Sequence, residues 1–465
     1  MKEIIIIGSG IGGLIAGNLL AVKGHKVTIF EYQSKPGGYT SGFYKNGFYF
    51  ESGGLSLEGS PLVFKIMKEI GVFDKIEFVK QKIRFLSDEY DACISTYSEY
   101  RKMCYAAYPD EKAKLDRFFS EIMGLPGKQD ADISVEEFVG RYFNKGSRAH
   151  VLLTLKGFFY PDMAAGNLIT TAPIFLTDSW TVKNGMQSWT NLLAENFEKH
   201  GGNLQLNSYV DRIITKDDCA VGVACKGFDY YGDYIISACD YKKTFLRLLD
   251  DKSLVDSQLL NKIAQSQISE GHFTVYLGLD MPNNELEKYM KVPYIMFFDE
   301  APDCDIYDPD DFEFFKKTAV NLYSMSMINP KHAPEGKSSL LIQTMVPYKW
   351  MNNWGGGDKK KYEKLKEKAM KDLIDKSSRI IPDLNKYIVY KDSATPLTYE
   401  RYTHNSGGAI AGWSWNPKKK FYDQPMTANI DTHVKNLYIG SAWALQTSGV
   451  PGAVSAAYQC AVKIV

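Results

Sequence analysis

The stretch IIIIGSGIGGLIAGNLLAVKG, residues 4–24, decides the fold of this 465-residue chain. Its four consecutive isoleucines predict a parallel strand that is covered on both faces. A glycine-rich turn follows at residues 8–13, then a helix is predicted over 14–23 and a second strand over 26–30. Strand, glycine turn, helix and strand within about 30 residues are typical of a dinucleotide-binding βαβ unit.

Each glycine of this turn has a separate role. Gly8 permits the tight turn, Gly10 lets the backbone approach a pyrophosphate, and Gly13 allows the helix to pack closely on the strand. The positive end of the helix faces the phosphates, and Ile11 in the turn is a predicted cofactor contact. Glu31 ends the second strand and is placed to accept hydrogen bonds from ribose hydroxyls. These residues predict a bound dinucleotide.

Two further segments favour FAD over NAD. Gly37 and Gly38 follow the second strand and would let the backbone pass close to the flavin side of the pyrophosphate. Near the end of the chain, a predicted strand over 436–440 precedes a predicted helix that starts near Gly452. Such a helix N-terminus would place backbone N–H groups at the pyrimidine end of the flavin. The residues predicted to contribute there are Gly440, Gly449, Val450, Gly452 and Ala453.

Together these motifs resemble the phytoene desaturase, carotenoid isomerase and retinol saturase group of flavoproteins. The resemblance runs through the whole chain in order, and it also includes Gly185-Met186-Gln187 and the Asn207…Val210…Ile213 pattern. It implies an amine-oxidase-like fold and a non-covalently bound FAD. It further implies that the backbone near Val210 holds the adenine and that Ala238 lies by the pyrophosphate. Glu51 departs from the family pattern, which more usually has Asp at this place.

The predicted fold class is α/β: a Rossmann-type, amine-oxidase-like FAD domain with an inserted α+β substrate domain. We expect the FAD domain to be discontinuous, formed by residues 1–60, 176–245 and 405–465, since neither glycine segment alone can enclose a dinucleotide. The substrate domain is predicted over 61–175, which is mainly helical, and 246–404.

The predicted function is an FAD-dependent oxidoreductase or isomerase of the carotenoid desaturase type. It would desaturate, saturate or isomerise carbon–carbon double bonds of an apolar, elongated substrate such as a carotenoid, a retinoid or an unsaturated lipid. One alternative is an amine-oxidase-like flavoenzyme, which would need an aromatic cage and a lysine near the flavin. Another is a non-catalytic lipid binder resembling the GDP-dissociation inhibitors, which would show eroded flavin motifs. With one dinucleotide fingerprint, NAD(P) would bind only transiently.

Composition excludes several other classes. Lys plus Arg and Asp plus Glu number 55 each, so nucleic acid is not the expected partner. The seven cysteines form no CxxC pair, which predicts reduced thiols in a cytoplasmic protein and no metal site. No apolar run is long enough to cross a membrane, so any membrane contact would be peripheral, through the helical insertion. The oligomeric state is not predicted.

The sequence contains no catalytic triad and no strong acid–base signature, so the catalytic residues are unassigned. The candidates are His404, Tyr402 and Trp413, because their segment lies just upstream of the terminal flavin motif. We expect Trp413 and Trp415 to line an apolar tunnel that ends at the flavin ring. His272, before a predicted strand, is interpreted as structural.

Overall fold

A computed structural model describes residues 1–124, 132–155, 177–298, 308–423, 427–446 and 448–465. Parts of the predicted helical insertion, 125–131 and 156–175, lie outside the described residues. The strands are β1 (Glu3–Ile7), β2 (Lys26–Phe30), β3 (Gly42–Lys45), β4 (Phe48–Glu51), β5 (Phe78–Lys80), β6 (Ile83–Leu86), β7 (Asp91–Ile94), β8 (Trp180–Val182), β9 (Asn203–Gln205), β10 (Val210–Lys216), β11 (Cys219–Cys225), β12 (Phe228–Tyr231), β13 (Tyr234–Ser237), β14 (Gly271–Leu279), β15 (Tyr294–Phe297), β16 (Val320–Tyr323), β17 (Ser338–Val346), β18 (Ile388–Ala394) and β19 (Leu437–Ile439).

The helices alternate with these strands. They are α1 (Ile11–Val22), α2 (Ser60–Glu69), α3 (Tyr97–Ala107), α4 (Lys112–Gly124), α5 (Val135–Gly140), α6 (Arg148–Leu153), α7 (Met186–Lys199), α8 (Tyr241–Lys243), α9 (Ser257–Gln265), α10 (Asn283–Met290), α11 (Phe314–Lys317), α12 (Met325–Ile328), α13 (Lys359–Ser377), α14 (Leu384–Tyr387), α15 (Pro396–Thr403) and α16 (Val450–Ile464). The segment Trp350–Gly356 is a turn whose inner residues have left-handed backbone angles.

A five-stranded parallel sheet forms the first half of the molecule, in the order β19-β13-β1-β2-β9. Residues 4–7 of β1 are all buried because helices cover one face of the sheet and the β10-β11-β12 sheet covers the other. Helix α1 packs against both α7 and α16. The sheet therefore joins strands from each of the three segments assigned to the cofactor domain, although hundreds of residues separate β1 from β19.

A seven-stranded mixed sheet forms the second half, in the order β18-β14-β17-β16-β15-β6-β7. Side chains alternate between its two faces. One face packs against α13 through residues such as Leu340 and Ile342, and the other packs against the β3-β4 hairpin and helices α3 to α6. This second face is turned toward the first half of the molecule.

The structure differs from the predicted organisation at two places. Residues 61–175 were expected to be mainly helical, but their described part also contains β5, β6 and β7, and the last two belong to the seven-stranded sheet. Helices α2 and α9, assigned to the substrate domain, pack into the core of the five-stranded sheet. Their buried side chains, such as Ile66 and Ile263, provide the apolar surface for that packing.

Candidate functional site

The glycine turn leaves the first helix without a side-chain cap. Gly8 has φ +98°, in the region that favours glycine, and α1 begins at Ile11 with Gly10 at its N-cap and no capping side chain. The N–H groups of a first helical turn have no intrahelical partner. Ile11 and Gly12 line a cavity, so these donors and the positive helix end are available to an anionic group there.

Gly10 and Gly13 have different surroundings. A Cβ on Gly13 would lie 2.0 Å from the carbonyl oxygen of Gly8, so this glycine is required for the contact between α1 and β1. A Cβ on Gly10 would meet no protein atom within 4 Å, because it would project into the cavity. The space in front of Gly10 fits a phosphate, and the space around Gly13 fits nothing larger than glycine.

Glu31 is buried where β2 ends and lines the same cavity. Its Oε2 accepts hydrogen bonds from the backbone N–H and the hydroxyl of Ser9, both at 2.8 Å, and its Oε1 accepts one from the N–H of Gln33 at 2.8 Å. Both lone pairs of Oε2 are thus used, and Oε1 has one further lone pair. The carboxylate joins the glycine turn to β2, and its Oε1 can still accept a hydrogen bond from a ribose.

The predicted loop at Gly37 and Gly38 crosses over the glycine turn. The N–H of Gly37 donates to the carbonyl of Ser9 at 2.9 Å, and a Cβ on Gly38 would lie 3.4 Å from the Cα of Gly10. Both glycines have positive φ and both line the cavity. The positive φ angles explain why glycines occupy both positions, and a Cβ on Gly37 would also lie 2.9 Å from the Cβ of Ser41.

A second helix N-terminus meets the same cavity. Helix α16 begins at Val450, has Gly449 at its N-cap and lacks a capping side chain. Gly449, Val450 and Ala453 line the cavity. Two uncapped helix ends, those of α1 and α16, therefore direct partial positive charge into one space.

The cavity has a volume of about 410 Å³ and extends from the glycine turn to the seven-stranded sheet. Most of the predicted cofactor residues line it. These are Gly8, Gly10, Ile11, Glu31, Gly37, Gly38, Val210, Ala238, Gly449, Val450 and Ala453.

The other three predicted cofactor residues, Gly13, Gly440 and Gly452, lie behind this lining. A Cβ on Gly452 would be 2.0 Å from the hydroxyl of Ser448, and the carbonyl oxygen of Gly440 would be 2.2 Å from a Cβ on Gly12. Their role in the structure is therefore close packing of backbone.

An aromatic group at the strand end beside Glu31 was not predicted. The ring of His404 lies 4.0 Å from the ring of Tyr32 and 5.6 Å from that of Tyr209, centroid to centroid. All three line the cavity, as does Tyr402, whose carbonyl accepts a hydrogen bond from Gln33. Burial, with Lys243 and Arg247 nearby, lowers the pKa of His404. His404 and Tyr402 were expected at the substrate, but they lie beside Glu31, at the glycine-turn end of the cavity, because α15 ends beside β2.

Trp413 does not line the cavity, contrary to expectation. It is fully buried, its ring stacks on Phe421 at 3.9 Å between centroids, and its indole N–H donates to the carbonyl of Trp443 at 3.0 Å. An indole whose faces and N–H are both occupied is a packing residue. Trp415, two residues further, does line the cavity.

The inner face of the seven-stranded sheet forms the opposite wall of the cavity. Six side chains from four of its strands contribute: His272, Tyr294, Met296, Asn321, Gln343 and Met345. His272 was interpreted as structural, but it lines the cavity. Burial lowers its pKa to about 4, so the imidazole is neutral at neutral pH. The alternation of side chains along β14 and β17 could have predicted that these residues share one face of a sheet. It does not tell which face lines the cavity.

A partly buried carboxylate lies behind the loop that follows β4. The hydroxyl of Ser56, which lines the cavity, donates to Oε1 of Glu58 at 2.6 Å. Burial raises the pKa of Glu58 to about 7, and the nearby Asp178 adds to the shift. Ser56 thus connects the cavity to a group that gains or loses a proton near neutral pH. The sequence did not reveal this acid, because Glu58 is part of no motif.

Two kinds of feature are absent from the described ranges. The histidine, cysteine and acidic side chains there form no group of three that could hold a metal ion. None of the helices that the structure describes combines the length and the apolar character needed to cross a membrane.

The family model described as flavin containing amine oxidoreductase matches residues 11–465. A 4,4'-diapophytoene desaturase (4,4'-diapolycopene-forming) of Methylomonas sp is 26% identical, covering 97% of this chain and 92% of the relative. An all-trans-retinol 13,14-reductase of Danio rerio is 24% identical, covering 98% and 85%. A chloroplastic prolycopene isomerase of an Oncidium hybrid cultivar is 23% identical, covering 99% and 83%.

Solved structures with the same fold are more distant in sequence. An oxidoreductase from Methanosarcina mazei has a TM-score of 0.69 at 14% identity, covering 98% of this chain and 99% of that one. A variant of putrescine oxidase has a TM-score of 0.67 at 14% identity, covering 100% and 98%. These values confirm the predicted amine-oxidase-like α/β architecture.

Proposed function

We propose that this chain, which belongs to the flavin containing amine oxidoreductases, is an FAD-dependent oxidoreductase acting on carbon–carbon double bonds. The proposal is supported by its similarity to a carotenoid desaturase, a carotenoid isomerase and a retinol reductase. The reaction is a desaturation, a saturation or a cis/trans isomerisation. The substrate is an elongated, mostly apolar molecule such as a carotenoid, a retinoid or an unsaturated lipid.

One observation carries this proposal. A single cavity begins at a dinucleotide fingerprint with two open helix ends and continues to a wall that includes Tyr294, Met296, Met345 and Trp415. A cofactor bound along the glycine turn would thus meet a largely apolar compartment. Such a compartment suits a polyene chain and excludes water from it.

The residues present fit FAD. Space in front of Gly10 would accept the pyrophosphate, Glu31 would accept a hydrogen bond from the ribose, and the N-terminus of α16 would favour negative charge on the ring. We assign Tyr32 and His404 to the adenine end. When bound, FAD supplies the hydride acceptor or donor. NAD(P), if it takes part, binds transiently, since one fingerprint is present.

The chain itself positions the substrate and handles the proton. Met296, Met345 and Trp415 hold an apolar chain and keep water away from it. Ser56 Oγ, backed by Glu58, is the site where a proton can be held beside the double bond. We also propose that the helical segment makes peripheral contact with a membrane, because this would give access to a lipid-dissolved substrate.

The amine-oxidase alternative has less support. That chemistry was expected to place a lysine near the flavin ring. Among the described residues that line the cavity, the lysine is Lys243, whose backbone N–H donates to Asp240 near the nucleotide end. The lipid-binder alternative expects eroded cofactor motifs, and here the glycine turn and Glu31 are intact.

The test is anaerobic reduction of the purified, flavin-loaded protein followed by a screen of polyenes and unsaturated lipids. Product mass and double-bond geometry are recorded for the oxidised and the reduced enzyme. We expect turnover of an elongated apolar substrate in one of the two redox states. A protein without flavin after reconstitution, or turnover confined to small amines, contradicts the proposal.

A further inference from the structure

Polar side chains interrupt the apolar wall on the seven-stranded sheet. On β14, β16 and β17, three neighbouring side chains that line the cavity can form hydrogen bonds: His272, Asn321 and Gln343. The strands bring them together, since Asn321 is the register partner of Gln343 and His272 is the partner of Met345. A compartment for a pure hydrocarbon needs no such group.

Gln343 is engaged within the sheet, but its two neighbours are not. Nε2 of Gln343 donates to the hydroxyl of Thr274 at 3.0 Å, and that hydroxyl forms a hydrogen bond with Tyr399 at 2.7 Å. By contrast, Oδ1 of Asn321 and Nδ1 of His272 are buried and make no hydrogen bond within the described ranges of the chain. Buried polar groups without partners destabilise a fold, so groups retained this way call for a partner that the chain does not supply.

The two groups also define the charge of that partner. An amide and a neutral imidazole each offer a donor and an acceptor. Burial keeps His272 uncharged, and the side chains that the described sheet strands contribute to this wall include neither lysine nor arginine. A carboxylate or phosphate would therefore be left without a compensating charge, whereas a hydroxyl or carbonyl oxygen would not.

We propose that Asn321 and His272 bind an uncharged oxygen group, a hydroxyl or a carbonyl, on the elongated substrate. This rests on the proposed function and narrows its substrate class from hydrocarbons to alcohols, aldehydes or ketones of polyenes. The oxygen group sets how far the chain enters, so it decides which double bond lies at the cofactor.

The experiment compares two polyenes of equal length, all-trans-retinol and axerophtene, its hydrocarbon counterpart without the hydroxyl. Binding to the anaerobic flavin-loaded protein is measured from the change in flavin absorbance. The variants are Asn321→Leu, which removes the amide at similar size, and His272→Asn, which keeps a polar group. Val389→Ala, at an exposed position on β18 of the same sheet, is the control.

The wild type is expected to bind retinol at least tenfold more tightly than axerophtene. Asn321→Leu should reduce that preference to less than threefold, His272→Asn should reduce it partly, and Val389→Ala should leave it unchanged. If Asn321→Leu does not fold, Asn321→Ser and His272→Asn carry the same test.

The inference is overturned by equal binding of both polyenes to the wild type, in which case the proposed function stands. It is also overturned if the Asn321 variant loses flavin or shifts the flavin spectrum without ligand, since the amide would then serve the cofactor. Binding of neither polyene also overturns the inference, and the screen of longer polyenes and unsaturated lipids then decides the proposed function separately.

Discussion

The cavity wall around Gly8–Gly13 is made of backbone, whereas the wall on the seven-stranded sheet is made of side chains. In the first wall, glycines and two uncapped helix ends present N–H groups, and Glu31 is the main side chain. In the second, the neighbouring positions Asn321 and Gln343 are 22 residues apart and His272 is more distant still. Backbone sites of the first kind depend on residues close in sequence, and side-chain sites of the second kind depend on strand pairing.

The largest effects should come from two glycines: Gly13, which is needed for folding, and Gly10, which is needed for flavin binding. Gly13→Val places atoms where even a Cβ would lie 2.0 Å from the Gly8 carbonyl, so we expect loss of more than about 4 kcal/mol of stability or no folded protein. Gly10→Leu, which points into the cavity, should leave the apoprotein within about 1 kcal/mol of wild type and abolish flavin binding. Urea unfolding and flavin absorbance measure both quantities.

Gly140→Ala is the control for both, because a Cβ there would meet nothing within 4 Å and the residue is exposed. It should leave both stability and flavin content unchanged. A Gly10→Leu protein that is still yellow would mean that the cofactor does not pass in front of this turn.

The two tryptophans should differ next most strongly. Trp413→Ala empties a fully buried, stacked site, so we expect a loss of about 3–5 kcal/mol in unfolding free energy. Trp415→Ala faces the cavity and should retain flavin and fold while binding of an apolar polyene weakens about tenfold. Equilibrium unfolding and ligand titration separate the two. A stable Trp413→Ala protein with impaired ligand binding would reverse the assignment.

The same difference between the two walls explains which parts of the fold and of the site could be predicted from the sequence. The fingerprint from Gly8 to Glu31 identified β1, α1, β2 and the nucleotide end, because every element lies within about 30 residues. Trp413 was misplaced because its burial depends on Phe421 and Trp443, whose positions no local pattern reveals. His272 was undervalued for the same reason: its strand was predictable, but the side of the sheet it faces was not.

Glu31 is the only charged side chain among the predicted cofactor contacts, and its removal is the next prediction. Glu31→Ala should weaken FAD affinity by roughly 1–3 kcal/mol, since ribose hydroxyls lose a charged acceptor and Ser9 loses its partner. The dissociation constant is measured by quenching of FAD fluorescence on binding to the apoprotein. Glu3→Ala, at the exposed start of β1, is the control and should change nothing. Unchanged affinity in Glu31→Ala would move the ribose away from β2.

The smallest expected effect concerns Glu51, the residue that departs from the family pattern. Glu51 ties β4 to the start of α7. Its Oε1 accepts a hydrogen bond from the N–H of Met186 at 2.9 Å and its Oε2 one from the hydroxyl of Tyr49 at 3.0 Å. Burial raises the pKa of Glu51 from 4.5 to about 8. Between these values the unfolded chain binds fewer protons at this group than the folded chain does, so its contribution to stability falls as pH rises.

Glu51→Gln removes this titration and keeps an acceptor for Met186. We therefore expect the variant to gain on wild type as pH rises from 5 to 6.5, by roughly 1–2 kcal/mol in the free energy of unfolding. Urea unfolding of both proteins across that range measures the difference in unfolding free energy. The control is Glu287→Gln at an exposed position, for which this difference should not change with pH. A Glu51→Gln difference that stays constant, or that turns against the variant as pH rises, would mean that Glu51 is ionised in the fold and that a charge holds β4 to α7.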